Sequence, residues 1–345
     1  MSRLLVTGGA GFIGSHFVRS WLAHHPADEL VNIDLLTYAG SRDRLADIEP
    51  HRRHRFIHGS VCDRSEVREA MRGCELVVHF AAATHVDRSI IDAAPFLRTN
   101  VEGTYVLLQE ALACGVARFV HISTDEVYGP VLEGAVGEDA AIAPRSPYAA
   151  SKAAADLLAQ AFRETYRLPT IVIRPTNLFG PGQLPEKFIP LCIVNAVDGL
   201  PVPIYGDGQQ RRGWLPVQDF CDALRLVIER GDAGAVYNVG SGHEQTNLQT
   251  ARMILSSLGA SPELIQFVDD RPGHDRRYAM KDAPLRALGW RPATSFEQGL
   301  ADTIAWYRQH PEWWRPLVRK LREDPHHWLN RSSGHRAQPP SRAVA

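Results

Sequence analysis

Short apolar runs recur along the first half of the chain: RLLVTG (3–8), ELVNID (29–34), RFIHGS (55–60), CELVVHFAAA (74–83), RFVHIST (118–124) and PTIVIRP (169–175). Each has the length of a strand and is apolar at consecutive positions, as a strand covered on both faces must be. Between them FIGSHFVRSWLAHH, RSEVREAMRG and PFLRTNVEGTYVLLQEALACG place apolar residues at i, i+3 and i+4, which predicts helices. Regular strand–helix alternation predicts an α/β fold, a doubly wound parallel sheet with helices on both faces. After about residue 175 the pattern changes. RPTNLFGPGQLPEKFIPL and GLPVPIYGDGQQRRGWLP are dense in Gly and Pro and predict loops with short elements. VQDFCDALRLVIERG and AVYNVGS predict a further helix and strand returning to the main sheet. TNLQTARMILSSLG, DAPLRALGW and SFEQGLADTIAWYRQH predict the helices of a smaller, mixed α/β C-terminal lobe. The expected division is a sheet domain over 1–175 with 215–241 returning to it, a lobe over 176–214 and 242–330, and a tail over 331–345. That tail, RSSGHRAQPPSRAVA, lacks the apolar content to pack and is expected to be disordered.

Composition removes several function classes. Lys and Arg number 38 and Asp and Glu 39, a net charge of -1, which gives no electrostatic case for nucleic acid or an anionic membrane. No apolar run approaches the roughly 20 residues that span a bilayer. The opening MSRLLVTGGAGFIG has glycines where a signal peptide would be apolar, so a cytoplasmic protein is expected. The five cysteines (Cys62, Cys74, Cys114, Cys192, Cys221) are never spaced Cys-x-x-Cys and are expected to be reduced core thiols. HRRH at 51–54 stands alone and reads as a solvated basic loop, so no metal is expected.

The candidate chemistry begins with VTGGAGFIG. It contains Gly9-x-Gly11-x-x-Gly14 and the wider Gly8-x-x-Gly11-x-x-Gly14, after the first strand and opening the first helix. Glycines there let the backbone turn tightly and approach a pyrophosphate at the positive helix end, a Rossmann-like dinucleotide site. Asp34, 20 residues after Gly14 at the end of the second strand, suits the ribose hydroxyls and would repel a 2′-phosphate. The predicted cofactor is NAD rather than NADP. Further on, SPYAASKAAADLL puts Tyr148 and Lys152 at i and i+4 on one helix face. An ammonium beside a phenol lowers its pKa, which suits a base acting on a sugar or alcohol hydroxyl. HISTDEVYG sets Asp125 and Glu126 directly after a buried strand, with Ser123 and Thr124 at its end. A carboxylate beside a core costs several kcal/mol unless it is paired, so two in a row call for a reason.

With these pieces the chain resembles the extended short-chain dehydrogenase/reductase family and, within it, the nucleotide-sugar 4,6-dehydratases. The resemblance runs from residue 3 to about 320 and is carried by VTGGAGFIGSHFVR, DLLTYAGS, THVDRSI, TNVEGTYVLLQ, HISTDEVYG, SPYAASKAAAD, PEKFIPL, PIYGDG and DDRPGHDRRYA. It implies an NAD-dependent lyase converting dTDP-D-glucose to dTDP-4-keto-6-deoxy-D-glucose: oxidation at C4, elimination of water across C5 and C6, and return of the hydride to C6. In that reaction Tyr148, aided by Lys152, takes the C4 hydroxyl proton and Thr124 holds the same oxygen. Glu126 removes the C5 proton, and Asp125 protonates the departing C6 hydroxyl. For NAD the resemblance adds Phe12, Ile13, Leu35 and Thr37, then Ser60, Val61, Ala81, Ala83 and Thr99, beside Tyr148, Lys152 and Asn177. For the nucleotide sugar it implies Thr84, Thr124, Asn177, Lys187 and Phe188, with Pro203, Ile204 and Tyr205 at the base. Arg212, Asn247, Arg271, His274 and Tyr278 would line the diphosphate and nucleoside side. Long helices over 95–115 and 148–167 imply, through the resemblance, a homodimer built on a four-helix bundle.

The chain departs from that pattern at Ser60, Ala83 and Leu178, and most in RRGWLPVQDF, where Gly213, Pro216 and Phe220 replace an Asp, a Tyr and a His. These changes are expected to alter hydrogen bonding beside the diphosphate. Two other readings use the same scaffold: another NAD-dependent nucleotide-sugar enzyme (a UDP-sugar dehydratase, 4-epimerase or uronate decarboxylase) and a non-catalytic NAD-sensing protein. A decarboxylase would leave the acid Asp125 without a task, and a sensor would have no use for Tyr148, Lys152, Asp125 and Glu126 together.

Overall fold

The computed structural model of the chain describes residues 2–323; the tail expected over 331–345 lies outside the described residues. Six of the predicted strands are present: β1 (Arg3–Thr7), β2 (Glu29–Asp34), β3 (His54–His58), β4 (Leu76–His79), β5 (Arg118–Ile122) and β6 (Thr170–Pro175). The strand β10 (Val236–Val239) pairs with β6, so one parallel sheet of seven strands runs in the order β10-β6-β5-β4-β1-β2-β3. Its strands other than the edge strand β3, which has no buried residue, are largely buried on both faces, which is why they read as continuous apolar runs. Leu4 and Val6 face one core with Phe17, Trp21 and Leu224, whereas Leu5, Val31 and Ile33 face the other with Met71, Leu107 and Phe119. The order reverses between β1 and β4, and a crevice opens outside the carboxyl ends of those strands.

Local chemistry sets the helix boundaries. Asp63 caps the Arg64–Met71 helix through the amides of Ser65 and Glu66, and Ser146 with Pro147 starts the Pro147–Tyr166 helix. Gly115, at φ 66, ends the Gly103–Cys114 helix. That helix is entered through a wider π turn at Leu97–Glu102, which carries Thr99 and Asn100, a placement common at functional sites.

The smaller lobe has its own core, containing Phe179, Ile193, Ile254, Leu300, Tyr307 and Trp314. It includes a three-stranded sheet of β7 (Asn177–Phe179), β9 (Arg211–Pro216) and β11 (Glu244–Thr246), and a pair of β8 (Val202–Tyr205) with β12 (Ile265–Val268). The first Gly/Pro-rich stretch, predicted as loops with short elements, runs at its end into a helix, Phe188–Val197, buried over most of its length. A helix apolar on nearly all sides shows no 3.6-residue stripe. Of the cysteines, Cys74, Cys192 and Cys221 are buried, but Cys114 is exposed and Cys62 half-buried; Cys114 closes its helix on the solvent side. Among the described residues no helix is long and apolar enough to cross a membrane.

Candidate active site

The first cleft lies over the carboxyl ends of β1 and β2. Gly8 has φ 71, and a Cβ there would stand 2.6 Å from the Ala81 amide nitrogen, so only glycine fits. A Cβ on Gly14 would come within 2.4 Å of the Gly8 oxygen, which fixes how closely the first helix packs on the turn. The Phe12–His24 helix has no side-chain cap at Gly11. Gly11, Phe12, Ile13 and Gly14 line the cleft at this end, leaving main-chain donors for an anion. Asp34 accepts the Ala10 amide at 2.9 Å and the Leu36 amide at 2.8 Å, one on each oxygen. Two lone pairs remain for a diol. Burial raises the Asp34 pKa, opposed by those two amides and by Arg44. Leu35, Thr37, Ser60 and Val61 line the same cleft, as do Ala81, Ala83, Thr99 and Asn177. Amides for a pyrophosphate, a carboxylate for a ribose and a long crevice joining them fit NAD.

The reacting groups converge at the inner end of this cleft. Thr124 ends the strand segment and caps a single turn, Asp125–Tyr128, by accepting the Glu126 amide at 3.3 Å. Asp125 and Glu126 therefore occupy the first positions of a helical turn, where main-chain donors favour negative charge. The Thr124 hydroxyl donates to Asp125 Oδ1 at 3.3 Å and lines the cleft together with Tyr148. Burial, and then the charge of Glu126, pushes the Asp125 pKa up to about 7. Burial also raises Glu126, but Arg271, Arg212 and Lys187 pull it back. One carboxyl is thus held near neutrality while the other faces three cations.

Tyr148 and Lys152 share a buried helix face on this cleft. The expected lowering of the phenol pKa is not found in the chain alone: burial and the charges of Glu126 and Asp125 push it upward. The reason is geometric. Lys152 Nζ donates to the Ile122 carbonyl at 2.6 Å, and burial lowers its own pKa to about 8, opposed by Asp156.

A second cleft opens into the smaller lobe. Thr84, Glu126, Asn177 and Lys187 line both clefts, so the two meet at the carboxylates. Lys187 Nζ donates to the Thr84 carbonyl at 3.2 Å. Phe188, Pro203, Tyr205 and Asn247 line the second cleft with Arg212, Arg271, His274 and Tyr278. The Arg212 guanidinium lies 4.4 Å from the centre of the Tyr278 ring. It donates to the carbonyls of Arg211 and Asp275. Arg271 is 3.5 Å from Asp87, whose other oxygen accepts the Tyr205 hydroxyl. Burial and the two arginines lower the His274 pKa to about 4, so the imidazole is neutral at physiological pH. Ile204 does not join this lining. It is fully buried in the lobe core, because alternate residues of β8 face opposite ways and Pro203 and Tyr205 take the cleft side. Gly213, Pro216 and Phe220 also line neither cleft, contrary to the expectation that they stand beside the diphosphate: Phe220 packs in the sheet-domain core.

Two buried groups that lie within the quoted motifs support the site, although the motifs assign them no role. Asn100 accepts the Ala83 amide at 2.8 Å and donates to the Ala83 carbonyl and to Ser151 Oγ, clamping the cleft wall to the Tyr148 helix. Asp156, one turn after Lys152, accepts Ser123 Oγ at 3.1 Å and pairs with Arg174 at 2.8 Å. A capacity to hydrogen-bond across the fold is visible only once the fold is known.

A profile described as the NAD dependent epimerase/dehydratase family matches residues 4–240. The chain is 50% identical over 320 residues to a dTDP-glucose 4,6-dehydratase of Streptomyces niveus, covering 91% of this chain and 95% of that protein. It is 51% identical over 304 residues to the low-salt glycan biosynthesis protein Agl12 of Haloferax volcanii, covering 88% and 98%. Among solved structures it is similar to the dTDP-glucose 4,6-dehydratase DesIV of Streptomyces venezuelae, crystallised with NAD bound (TM-score 0.90, 49% identity, 91% and 99% of the two chains). A UDP-glucose 4-epimerase of Thermus thermophilus stands further off (TM-score 0.83, 32% identity, 89% and 99%). Fold, cleft and sequence agree: the chain belongs to the NAD dependent epimerase/dehydratase family and resembles, within it, the dTDP-glucose 4,6-dehydratases.

Proposed function

We propose that the joined clefts form the site of an NAD-dependent nucleotide-sugar 4,6-dehydratase, which converts dTDP-D-glucose to dTDP-4-keto-6-deoxy-D-glucose. The observation that carries this reading is the Asp125–Glu126 pair at the meeting point of the clefts, with Thr124 bonded to Asp125 and Tyr148 lining the same cleft. A 4-epimerase oxidises and re-reduces C4 and needs no acid–base pair for elimination. Bound NAD supplies a hydride acceptor, and the positive charge of its oxidised ring favours a phenolate. Tyr148 takes the C4 hydroxyl proton, and Thr124 orients the oxygen. Once C4 is a ketone the C5 proton is acidic, and Glu126, whose carboxylate is opposite Arg271, Arg212 and Lys187, removes it. Asp125 gives its proton to the C6 oxygen, which leaves as water. Lys187, Arg212 and Arg271 offer charge-assisted donors to the diphosphate.

The pH dependence follows from the two carboxyls. Asp125 acts while protonated, so elimination should be available below its pKa of about 7 and fall as pH rises through it. Glu126 acts while ionised, so the acid limb should lie above the usual glutamate range, in the direction in which burial moves it. Incubation with dTDP-glucose across pH, read by mass loss of one water and by the enolate absorbance of the keto product in alkali, tests both. An epimer of unchanged mass would sink the reading, and faster turnover of UDP-glucose would reassign the nucleotide.

We also infer two functional units, an NAD-binding part over 1–175 with 215–241 and a nucleotide-sugar part over 176–214 and 242–323, working in the cytoplasm as a homodimer. Support for the dimer is the exposure of Leu97 and Tyr105 beside Leu157 and Tyr166 on the neighbouring helix, an apolar face that a symmetric copy would cover. Sizing should give twice 38.3 kDa; a monomer at micromolar concentration would remove the inference.

A further inference from the structure

Three consecutive main-chain carbonyls, those of Pro181, Gly182 and Gln183, are each held by a side chain from a different element. His16 Nε2, on the Phe12–His24 helix, donates to the Pro181 carbonyl at 3.0 Å. Arg44 donates to the Gly182 carbonyl through Nη2 at 3.0 Å and Nε at 3.3 Å. Tyr307, on the Phe296–Gln309 helix of the smaller lobe, donates its hydroxyl to the Gln183 carbonyl. The segment gripped in this way serves both clefts: Gln183 lines the two of them, and so does Lys187, four residues on.

Arg44 is the unusual member of the three. It is 8% exposed, yet among the described residues no carboxylate pairs with it, and its side-chain hydrogen bonds all end on carbonyls. Its Nη1 reaches the other wall of the NAD cleft and donates to the Ala39 carbonyl at 3.2 Å. Ala39 and Gly40 line that cleft. A Cβ on Gly40 would stand 2.8 Å from Asp34 Oδ1, so the 37–40 turn is packed against the carboxylate that suits the ribose. The Arg44 guanidinium lies 5.2 Å from the centre of the Trp313 ring and lines neither cleft. It stands behind the two walls and joins them. A carboxylate partner would lock such a cation in place, as Asp156 locks Arg174. Carbonyls and an indole hold it less tightly, and water replaces them when the turns part.

We infer that Arg44 is a positioning residue that couples the two sites: its fork clasps the 37–40 turn to the 180–183 turn, so that occupancy of either cleft strengthens binding in the other. This rests on the reading of the second cleft as the nucleotide-sugar site. When Asp34 holds a ribose, the turn packed on it is ordered, and the Ala39 carbonyl fixes the guanidinium. The guanidinium in turn fixes Gly182, and the chain from there carries Gln183 and Lys187 into the second cleft. The path runs equally in reverse, because coupling between two binding sites is reciprocal. Two arrangements are involved, one with both carbonyls on the fork and one with the turns apart and the guanidinium in water. Each ligand favours the first.

The test measures the NAD dissociation constant of the full chain by equilibrium dialysis, with and without saturating dTDP, in the parent, Arg44→Lys and Arg44→Met. Lys keeps a cation but has no fork to span two carbonyls, and Met fills the space without a charge to bury. In the parent, dTDP should tighten NAD roughly five- to hundredfold, the usual range for coupled sites. In both variants the ratio should fall to within about twofold of one, while dTDP still binds the NAD-saturated protein. A measurement on the parent alone covers the case in which neither variant folds. Adding dTDP to the NAD-loaded parent should slow amide hydrogen exchange over residues 37–45, none of which lines the second cleft. Unchanged exchange there overturns the inference, as does equal NAD affinity with and without dTDP. So does a variant that keeps the parent ratio while both affinities weaken together, which marks Arg44 as a purely structural tie. If dTDP does not bind the NAD-saturated parent at all, the nucleotide reading itself fails and the inference falls with it, whereas binding without linkage removes the inference alone.

Discussion

Glu126→Gln should stop loss of water while leaving C4 oxidation running. Gln keeps the shape and the hydrogen-bonding capacity but cannot take a proton, so elimination should slow by about 10² to 10⁴, the usual worth of a positioned base. Deuterium from solvent should cease to enter C5. The oxidation half should not suffer, because Tyr148, Thr124 and Lys152 keep their places and because the Glu126 charge is one of the groups holding the phenol pKa up. Removing that charge should therefore move the pH dependence of C4 oxidation to lower pH. The measurement is a burst of reduced nicotinamide with no loss of water from the sugar. Dehydration at the parent rate would take the base role from Glu126.

Arg174→Met should cost about 3–5 kcal/mol of stability, since it strands a carboxylate in the core. Arg174 is 2% exposed and Asp156 not at all. The guanidinium grips Asp156 in a bidentate manner, at 2.8 and 3.2 Å. It also donates to the Tyr128 hydroxyl and the Glu138 carbonyl. Asp156 is anchored further by Ser123 and Gln160. One ion pair therefore ties the Tyr148–Lys152 helix to β6 and, through Tyr128, to the turn bearing Asp125 and Glu126. Denaturant midpoints of Arg174→Met, Asp156→Asn and the double variant measure this. The double variant should recover much of the loss, because it leaves no unpaired charge. A single-variant loss under about 1 kcal/mol would show that the pair is solvated and has no such role.

The homologues bring the chemistry of a dehydratase, but the chain's own geometry decides how it is carried. Asp125 and Glu126 differ by one residue and start from nearly the same intrinsic acidity. Burial raises both, but Asp125 sits in the interior beside the Thr124 hydroxyl, whereas Glu126 opens toward Lys187, Arg212 and Arg271, which oppose its rise. Unlike surroundings of this kind assign acid and base.

Much of this was legible in the order of residues. Strands buried on both faces must be apolar throughout, so β1, β2 and β4 to β6 stand out by composition alone. The glycines of VTGGAGFIG and Asp34 sit within one strand–helix–strand unit, and Tyr148 and Lys152 within two turns of one helix, so their spacing is local and can be read locally. The smaller lobe was not legible in the same way. Its strands have three to six residues between glycines and prolines, and the Phe188–Val197 helix is apolar almost all round, so neither period shows. Tertiary structure alone decided that Ile204 faces a core, that Lys152 donates to the Ile122 carbonyl and that Asp156 is held by Arg174. Each of these is a contact between segments far apart in the chain, and its partner is set by how the sheet and lobe pack, a quantity that no local pattern contains.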